Sequence, residues 1–147
     1  MKLYVFDIDG VLADHSHRFH HIDKDPKDWT SYFAEAFADA PIAHGVELLQ
    51  TLVPPDGHVV FATGRSDECY AATMAWLKEH VTQGRKFMLY MRRQGDHRGD
   101  NELKIDFLNS MKAINIEPRI WFEDRSRVVG ALRAEGVNVY QTAPGNF

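Results

Sequence analysis

Short unbroken apolar runs alternate along the chain with stretches in which apolar residues recur every third or fourth position. The runs are Leu3-Tyr4-Val5-Phe6, His58-Val59-Val60-Phe61-Ala62, Lys86-Phe87-Met88-Leu89-Tyr90, Arg119-Ile120-Trp121-Phe122 and Val137-Asn138-Val139-Tyr140. Such a run, without polar alternation, predicts a strand covered on both faces, as in a parallel sheet. The helical patterns lie between them. Gly45 to Val53 carries Val46, Leu49 and Val53 on one face, and Pro54-Pro55-Asp56-Gly57 stops it. A helix capped by Ser66 or Asp67 carries Tyr70, Met74, Leu77 and Val81 in one stripe beside Cys69. Another turns Leu103, Phe107, Met111 and Ile114 inward. A last one holds Val128, Val129 and Leu132 and ends at Gly136. Strand and helix alternate throughout, which argues one parallel α/β sheet with right-handed crossovers.

The segment from Asp14 to Pro41 breaks this rhythm. It holds His15, His17, His20 and His21, then the charged stretch Asp23-Lys24-Asp25-Pro26-Lys27-Asp28. A short helix is predicted from Asp28 as N-cap, with Trp29, Phe33 and Phe37 at i, i+4 and i+8. The segment reads as a small cap over the end of strand one, at about residues 14–42. The spacing H-x-H-x-x-H-H matches no common structural zinc pattern, and no cysteine assists. A zinc site and a solvated loop at a cleft mouth are the two readings of these histidines. Trp29 and Phe33 are either the core of the cap or a surface for stacking a base.

Composition narrows the class. With 147 residues, 44% hydrophobic and 26% charged, the chain suits a single globular domain spanning 1–147. The net charge of −4 gives no global basic field for nucleic acid. The loop Met91 to Asp100 is nonetheless locally basic. The sole cysteine, Cys69, forms no intrachain disulfide and fits a reducing compartment. No run has the length of a membrane span, and the first residues do not form a signal peptide, so a cytoplasmic location is expected.

Chemistry concentrates at the strand ends, where open α/β sheets bind their ligands. Strand one ends in Asp7 and Asp9, followed by Gly10. Strand two ends in Thr63, Gly64 and Arg65. Strand four ends in Glu123, Asp124 and Arg125. Lys104 falls in the first turn of a helix, where the helix dipole disfavours a cation, so it either points to solvent or meets an anion. Converging carboxylates suit Mg2+, and arginines with a lysine suit a phosphate dianion. No serine–histidine or cysteine–histidine pairing falls at strand ends, which leaves a carboxylate as the natural nucleophile.

D-x-D-G-V from Asp7, the strand ending T-G-R at Thr63, Lys104, and E-D at Glu123-Asp124 follow in order across nearly the full chain. Together they resemble the phosphatase branch of the haloacid dehalogenase (HAD) superfamily. The resemblance implies a Rossmann-like three-layer fold with a five-stranded, mainly parallel sheet and a small helical cap after strand one. It also implies Mg2+-dependent hydrolysis of a phosphomonoester through an aspartyl phosphate. Asp7 would be the nucleophile and Asp9 the general acid and base. Mg2+ would be held by Asp7, the backbone carbonyl of Asp9 and Asp124, with Glu123 acting through water. Thr63 and Gly64 would hold phosphate oxygens, and Lys104 would neutralise charge on Asp7 and the phosphoryl group.

The C-terminal half is similar in more detail to the 3′-phosphatase domain of phage polynucleotide kinase/phosphatase. The stretches are Gln94-Gly95-Asp96-His97-Arg98, Asp100, Lys104, Glu123 to Val129, and Ala143-Pro144-Gly145-Asn146-Phe147. This implies phosphate- or substrate-binding roles for Arg18, Arg65, Arg92, Asp100 and Arg125, and a phosphorylated nucleotide or nucleic-acid 3′ end as substrate. Glu123 stands where that phosphatase has an aspartate, the histidine-rich segment has no close match, and no G-x-x-x-x-G-K-[ST] occurs. A separate kinase is therefore an open partner. A 5′-nucleotidase or other small-molecule phosphatase, a non-catalytic phosphate-binding domain, and a dehalogenase are the competing readings.

Overall fold

The computed structural model describes residues 1–147. Its strands are β1 (Lys2–Phe6), the short β2 (Ala13–Asp14) and β3 (Ala40–Pro41), β4 (His58–Ser66), β5 (Lys86–Arg92), β6 (Glu117–Glu123) and β7 (Val139–Gln141). Its α-helices are α1 (Trp29–Ala34), α2 (Ala43–Leu52), α3 (Tyr70–Leu77), α4 (Asp100–Ala113) and α5 (Ser126–Ala134). Five strands form one sheet in the order β5-β4-β1-β6-β7, and every pairing in it is parallel. β1 is central, so the residues that follow it emerge mid-sheet at the carboxyl edge.

Strand alternation divides the core into two layers. Leu3 and Val5 of β1, with Val60 and Ala62 of β4, pack against Leu103, Phe107, Leu108 and Met111 of α4 and the apolar face of α5. Phe6, Val59 and Phe61 face the other way, onto Leu49 of α2 and Trp76 and Leu77 of α3. Full burial of each such side chain is worth about 1.5–3 kcal/mol. The expected three-layer α/β architecture is therefore present. None of the helices is long and apolar enough to cross a membrane.

The cap consists of a 3-10 turn at Ser16–His21, then α1, then a second 3-10 turn at Ala36–Ala38, anchored by the antiparallel β2–β3 pair. Asp28 caps α1 as expected, accepting from the Ser31 amide at 3.0 Å and its hydroxyl at 2.7 Å. The predicted Trp29-Phe33-Phe37 stripe forms only in its first half: Phe33 is buried and stacks on Trp29 with ring centres 5.9 Å apart. The helix ends at Ala34, the chain tightens into 3-10 geometry, and Phe37 swings out to 65% exposure. Tyr32 turns inward beside Phe33, against Cys69.

Two other faces differ from expectation for related reasons. α3 is preceded by a 3-10 turn at Asp67–Cys69 and runs into a π-turn at Lys78–Thr82, so no single phase carries through. Thr73, Trp76 and Leu77 are buried there, while Tyr70 is exposed. Ile114 is exposed because α4 ends before it; the chain reverses at Asn115 and inserts Ile116 into the core. β4 also outruns its expected end. It continues to Ser66 through a bulge, pairing Thr63 with Met91 and then Ser66 with Arg92, and leaves Gly64 and Arg65 unpaired.

Candidate active site

Asp7 keeps the alternation of Leu3 and Val5 and so points to the α4 side of the sheet, its amide donating to Phe122 O at 3.0 Å. Lys104 of α4 meets it there. Its Nζ donates to Asp7 Oδ1 and to Glu123 Oε2, both at 2.9 Å, with all three side chains buried. Lys104 thus meets anions; because α4 starts at Asp100 it stands in the second turn and not in the expected first, so the two carboxylates, and not the helix end, account for it. Burial works against the ammonium, but Asp7 and then Glu123 outweigh it and raise the Lys104 pKa above its ordinary value. Glu123 Oε1 accepts from the amides of Asp124 and Arg125 at 3.1 and 3.2 Å, so the end of β6 folds around that carboxylate.

Asp7, Glu123 and Asp124 each bring a carboxylate oxygen to within 4.8 Å of the others. The charges do not balance. Burial, then Glu123, raises Asp7 well above the usual carboxylate range, and burial raises Glu123. Burial, then Asp7, pushes Asp124 up to about 6. One ammonium among three buried carboxylates leaves an excess of negative charge that a hard divalent cation would relieve. Gly10 shapes the same place. It has φ +80°, and a Cβ there would lie 2.1 Å from Asp124 Oδ2, so the turn after β1 and the Asp124 carboxylate share space that only glycine leaves open. The donor set and the available room fit Mg2+.

Asp9 faces a different set of partners. Arg65 donates from Nη2 to Asp9 Oδ1 at 2.7 Å and from Nε to both carboxylate oxygens, and Arg18 Nη2 donates to Oδ1 at 3.0 Å. The bulge in β4 aims Arg65 this way, and the 3-10 turn Ser16–His21 brings in Arg18. Asp39 completes the group, accepting from Arg65 Nη2 at 2.7 Å and from Arg18 Nε and Nη2 at 2.8 and 2.7 Å. The Arg18 guanidinium also lies 4.2 Å from the Tyr32 ring centre. Burial would raise the Asp9 pKa, but Arg65 and Arg18 hold it well below the usual carboxylate range.

Both aspartates open onto a cleft of about 660 Å³ between cap and sheet. Arg92, Arg93, Arg98, Arg125 and Arg127 lie around it. Asp100, at the start of α4, accepts from Arg92 and, at 2.6 Å, from Arg125 Nη1. Arg92 Nε also donates to Gly64 O at 3.0 Å, which fastens the basic loop to the β4 bulge. Of the sequence-derived site residues, Asp7, Asp9, Gly64, Arg65, Arg92, Asp100, Glu123, Asp124 and Arg125 line this cleft. Arg18 and Lys104 are buried behind it, each bonded to an aspartate that lines it. Thr63 is fully buried as well, its hydroxyl accepting from the Arg65 amide at 3.2 Å.

The whole chain, residues 1–147, matches the model of the polynucleotide kinase PNKP phosphatase domain, a HAD family. The chain belongs to this PNKP phosphatase-domain family. No curated protein matches the sequence. Two solved structures, titled as the Pnkp1/Rnl/Hen1 RNA repair complex and the Pnkp1/Rnl/Hen1 complex, align over 99% of this chain at 22% identity, with TM-scores of 0.77 and 0.79. The chain spans only 43% and 47% of those chains. A structure described as a predicted HAD-like hydrolase from Porphyromonas gingivalis aligns over 99% of this chain and 92% of its own, at 14% identity and TM-score 0.55. These likenesses bear on the fold.

In this PNKP-type phosphatase domain the C-terminal segment braces the site. Ser126 N donates to Gly145 O at 2.7 Å, and a Cβ on Gly145 would sit 1.8 Å from the Asp124 carbonyl oxygen. Phe147 ends 4.9 Å from the Arg125 guanidinium. Sequence reasoning missed Asp39 and Tyr32. No local motif marks Asp39, two residues before Pro41 at the close of a cap whose one arginine is Arg18.

Proposed function

We propose that this domain is a Mg2+-dependent phosphomonoesterase that removes 3′-phosphate from polynucleotide ends or nucleotides. The observation that carries the reading is Lys104 bridging Asp7 and Glu123 at 2.9 Å on each side. It supports reading Asp7 as a carboxylate nucleophile, Lys104 as its charge partner and Glu123 as a metal-competent acid, in one buried group facing a cleft with arginines around it.

Asp7 attacks phosphorus, the bond from phosphorus to the 3′ oxygen breaks, and Asp9 gives its proton to the leaving alkoxide. Asp9 then takes a proton from the water that attacks the aspartyl phosphate, releasing inorganic phosphate and restoring Asp7. In the free protein Arg65 and Arg18 keep Asp9 ionised. An incoming phosphate dianion draws on Arg65, which lines the cleft, and adds like charge beside Asp9, which lifts the Asp9 pKa and loads the proton that the first step spends. Lys104 stays close to the nucleophile and the transferred group. Asp7, Asp124 and the Asp9 carbonyl would hold Mg2+, with Glu123 acting through water. When bound, the ion would reduce repulsion between the anionic nucleophile and the phosphate. Gly64 at the β4 bulge borders the phosphate position, and Arg92 and Arg125, fixed by Asp100, face the nucleotide.

The test compares phosphate release from a 3′-phosphorylated oligonucleotide, as DNA and as RNA, with release from a 3′-mononucleotide and a 5′-mononucleotide. The 3′-phosphorylated substrates should be preferred, EDTA should stop the reaction and Mg2+ should restore it. Preference for the 5′-mononucleotide would replace this reading with a 5′-nucleotidase. The likeness to Pnkp1, whose structure is of an RNA repair complex, supports RNA ends and a separate kinase working alongside.

A further inference from the structure

On the cap, outside the catalytic cleft, His20, His21 and Glu35 bring one ligand atom each to within 4.8 Å of one another. The first two sit at the end of the 3-10 turn Ser16–His21, and Glu35 follows the last residue of α1. The two imidazole rings lie with centres 4.0 Å apart. His21 Nε2 is buried and only 2.9 Å from Glu35 Oε1, yet it has no aligned hydrogen bond to any group. An imidazole nitrogen and a carboxylate oxygen paired at 2.9 Å without good hydrogen-bond alignment, beside a second imidazole, are within reach of one shared cation.

We propose that His20, His21 and Glu35 form a second cation site, for a divalent transition metal of the zinc class, with water in the fourth position. Two nitrogens and one carboxylate oxygen are donors that borderline metals take, whereas the all-oxygen set of Asp7, Glu123 and Asp124 suits Mg2+. The two sites therefore sort different ions by chemistry. Tetrahedral coordination at ordinary Zn–N and Zn–O lengths puts ligand atoms roughly 3.4 Å apart. His20 is exposed and Glu35 partly exposed, which leaves their side chains room to adjust toward that spacing. The bound ion would clip the first cap turn to the end of α1. That first turn also carries Arg18, which holds Asp9, so the clip steadies the support of the proposed acid–base group.

Zn2+ is titrated into the untagged full chain in excess Mg2+, in competition with a chromophoric chelator. One Zn2+ should bind, and it should raise the melting temperature. His21→Gln and Glu35→Gln should each weaken Zn2+ at least about tenfold, while Asp124→Asn leaves it in place. Melting in the absence of Zn2+ checks that the variants fold; should His21→Gln fail, His20→Gln, at an exposed position, replaces it. Absence of Zn2+ binding overturns the proposal. So does full affinity in the histidine variants, or loss that follows Asp124→Asn instead. Because the readout is metal binding, a wrong choice of phosphatase substrate leaves this test intact.

Discussion

Asp39 accepts two hydrogen bonds from Arg18, at 2.8 and 2.7 Å, with both side chains sealed from solvent. The same carboxylate takes Arg65 at 2.7 Å, and both guanidiniums continue to Asp9. Two arginines and two carboxylates thus form one buried group, with His17 Nε2 also 2.7 Å from Asp39 Oδ1, and Asp39 itself does not line the cleft. Removing its charge leaves two buried guanidiniums sharing Asp9. Asp39→Asn should therefore cost about 3–5 kcal/mol, the scale for breaking a buried pair by deleting one partner. Urea unfolding measures this. A loss below about 1 kcal/mol, the range of a surface ion pair, would mean that Asp9 alone satisfies both arginines.

What was legible in the sequence and what was not follows from the reach of each interaction. Asp7 was readable because an unbroken apolar run predicts both the central strand and the place where it ends. Lys104 was readable from its place in the motif order, although the helix starts at Asp100 and leaves it one turn further in than the sequence suggested. Asp39 was hidden: its partners lie 21 and 26 positions away, and only the folded cap brings them together. The exposed Phe37 and Ile114 show the limit of periodicity, since the helical phase stops where α1 and α4 stop. The β4 bulge, which aims Arg65, depends on register with β5 and has no local signature.

Gly10 ties the turn after β1 to Asp124. Gly10→Ala would place a Cβ 2.1 Å from Asp124 Oδ2 and force a side chain into a φ of +80°. The backbone conformation alone costs about 1–2 kcal/mol. The larger effect should fall on the carboxylate, which must move away from Asp7 and Glu123. The Mg2+ concentration giving half-maximal rate should rise by at least about tenfold, as when groups supporting a metal are displaced. Measured rates against Mg2+ decide it: an unchanged midpoint would remove Asp124 from the metal site.

His15 gives stability a dependence on pH. Its Nδ1 lies 2.6 Å from the Tyr32 hydroxyl. Burial lowers its pKa; Asp9 and Asp39 pull it back in part, and Arg18 and Arg65 push it further down. An unfolded histidine takes its proton near pH ~6.5, so below that the unfolded chain binds a proton that the folded chain resists. The contribution is intact above that value and is lost as pH falls from it toward the lower folded value. Wild type should therefore lose more urea resistance between about pH 8 and about pH 5 than His15→Gln does. Parallel losses in the two proteins would show that His15 protonates freely in the fold.

Asp100 sets two arginines at once. It accepts from Arg92 and from Arg125, and Arg92 is tied further to Gly64 O and to the backbone of Asp96 and Arg98. Arg125 has no such backbone ties from its guanidinium; beyond Asp100 it rests near the Phe147 ring. Asp100→Asn keeps the size of the side chain but removes the charge that orients both. Arg92 should hold its place through its carbonyl partners, while Arg125 is released. If Arg125 orients the 3′ nucleotide, KM for a 3′-phosphorylated oligonucleotide should rise by about 10- to 100-fold, the equivalent of one charge-assisted hydrogen bond of ~1.5–3 kcal/mol. Arg125→Ala should give a similar rise, and combining the two should add little, because both act through one contact. Steady-state kinetics on the two single variants and the double variant measure this. Additive losses would place Asp100 on Arg92 or on the phosphate itself, not on Arg125.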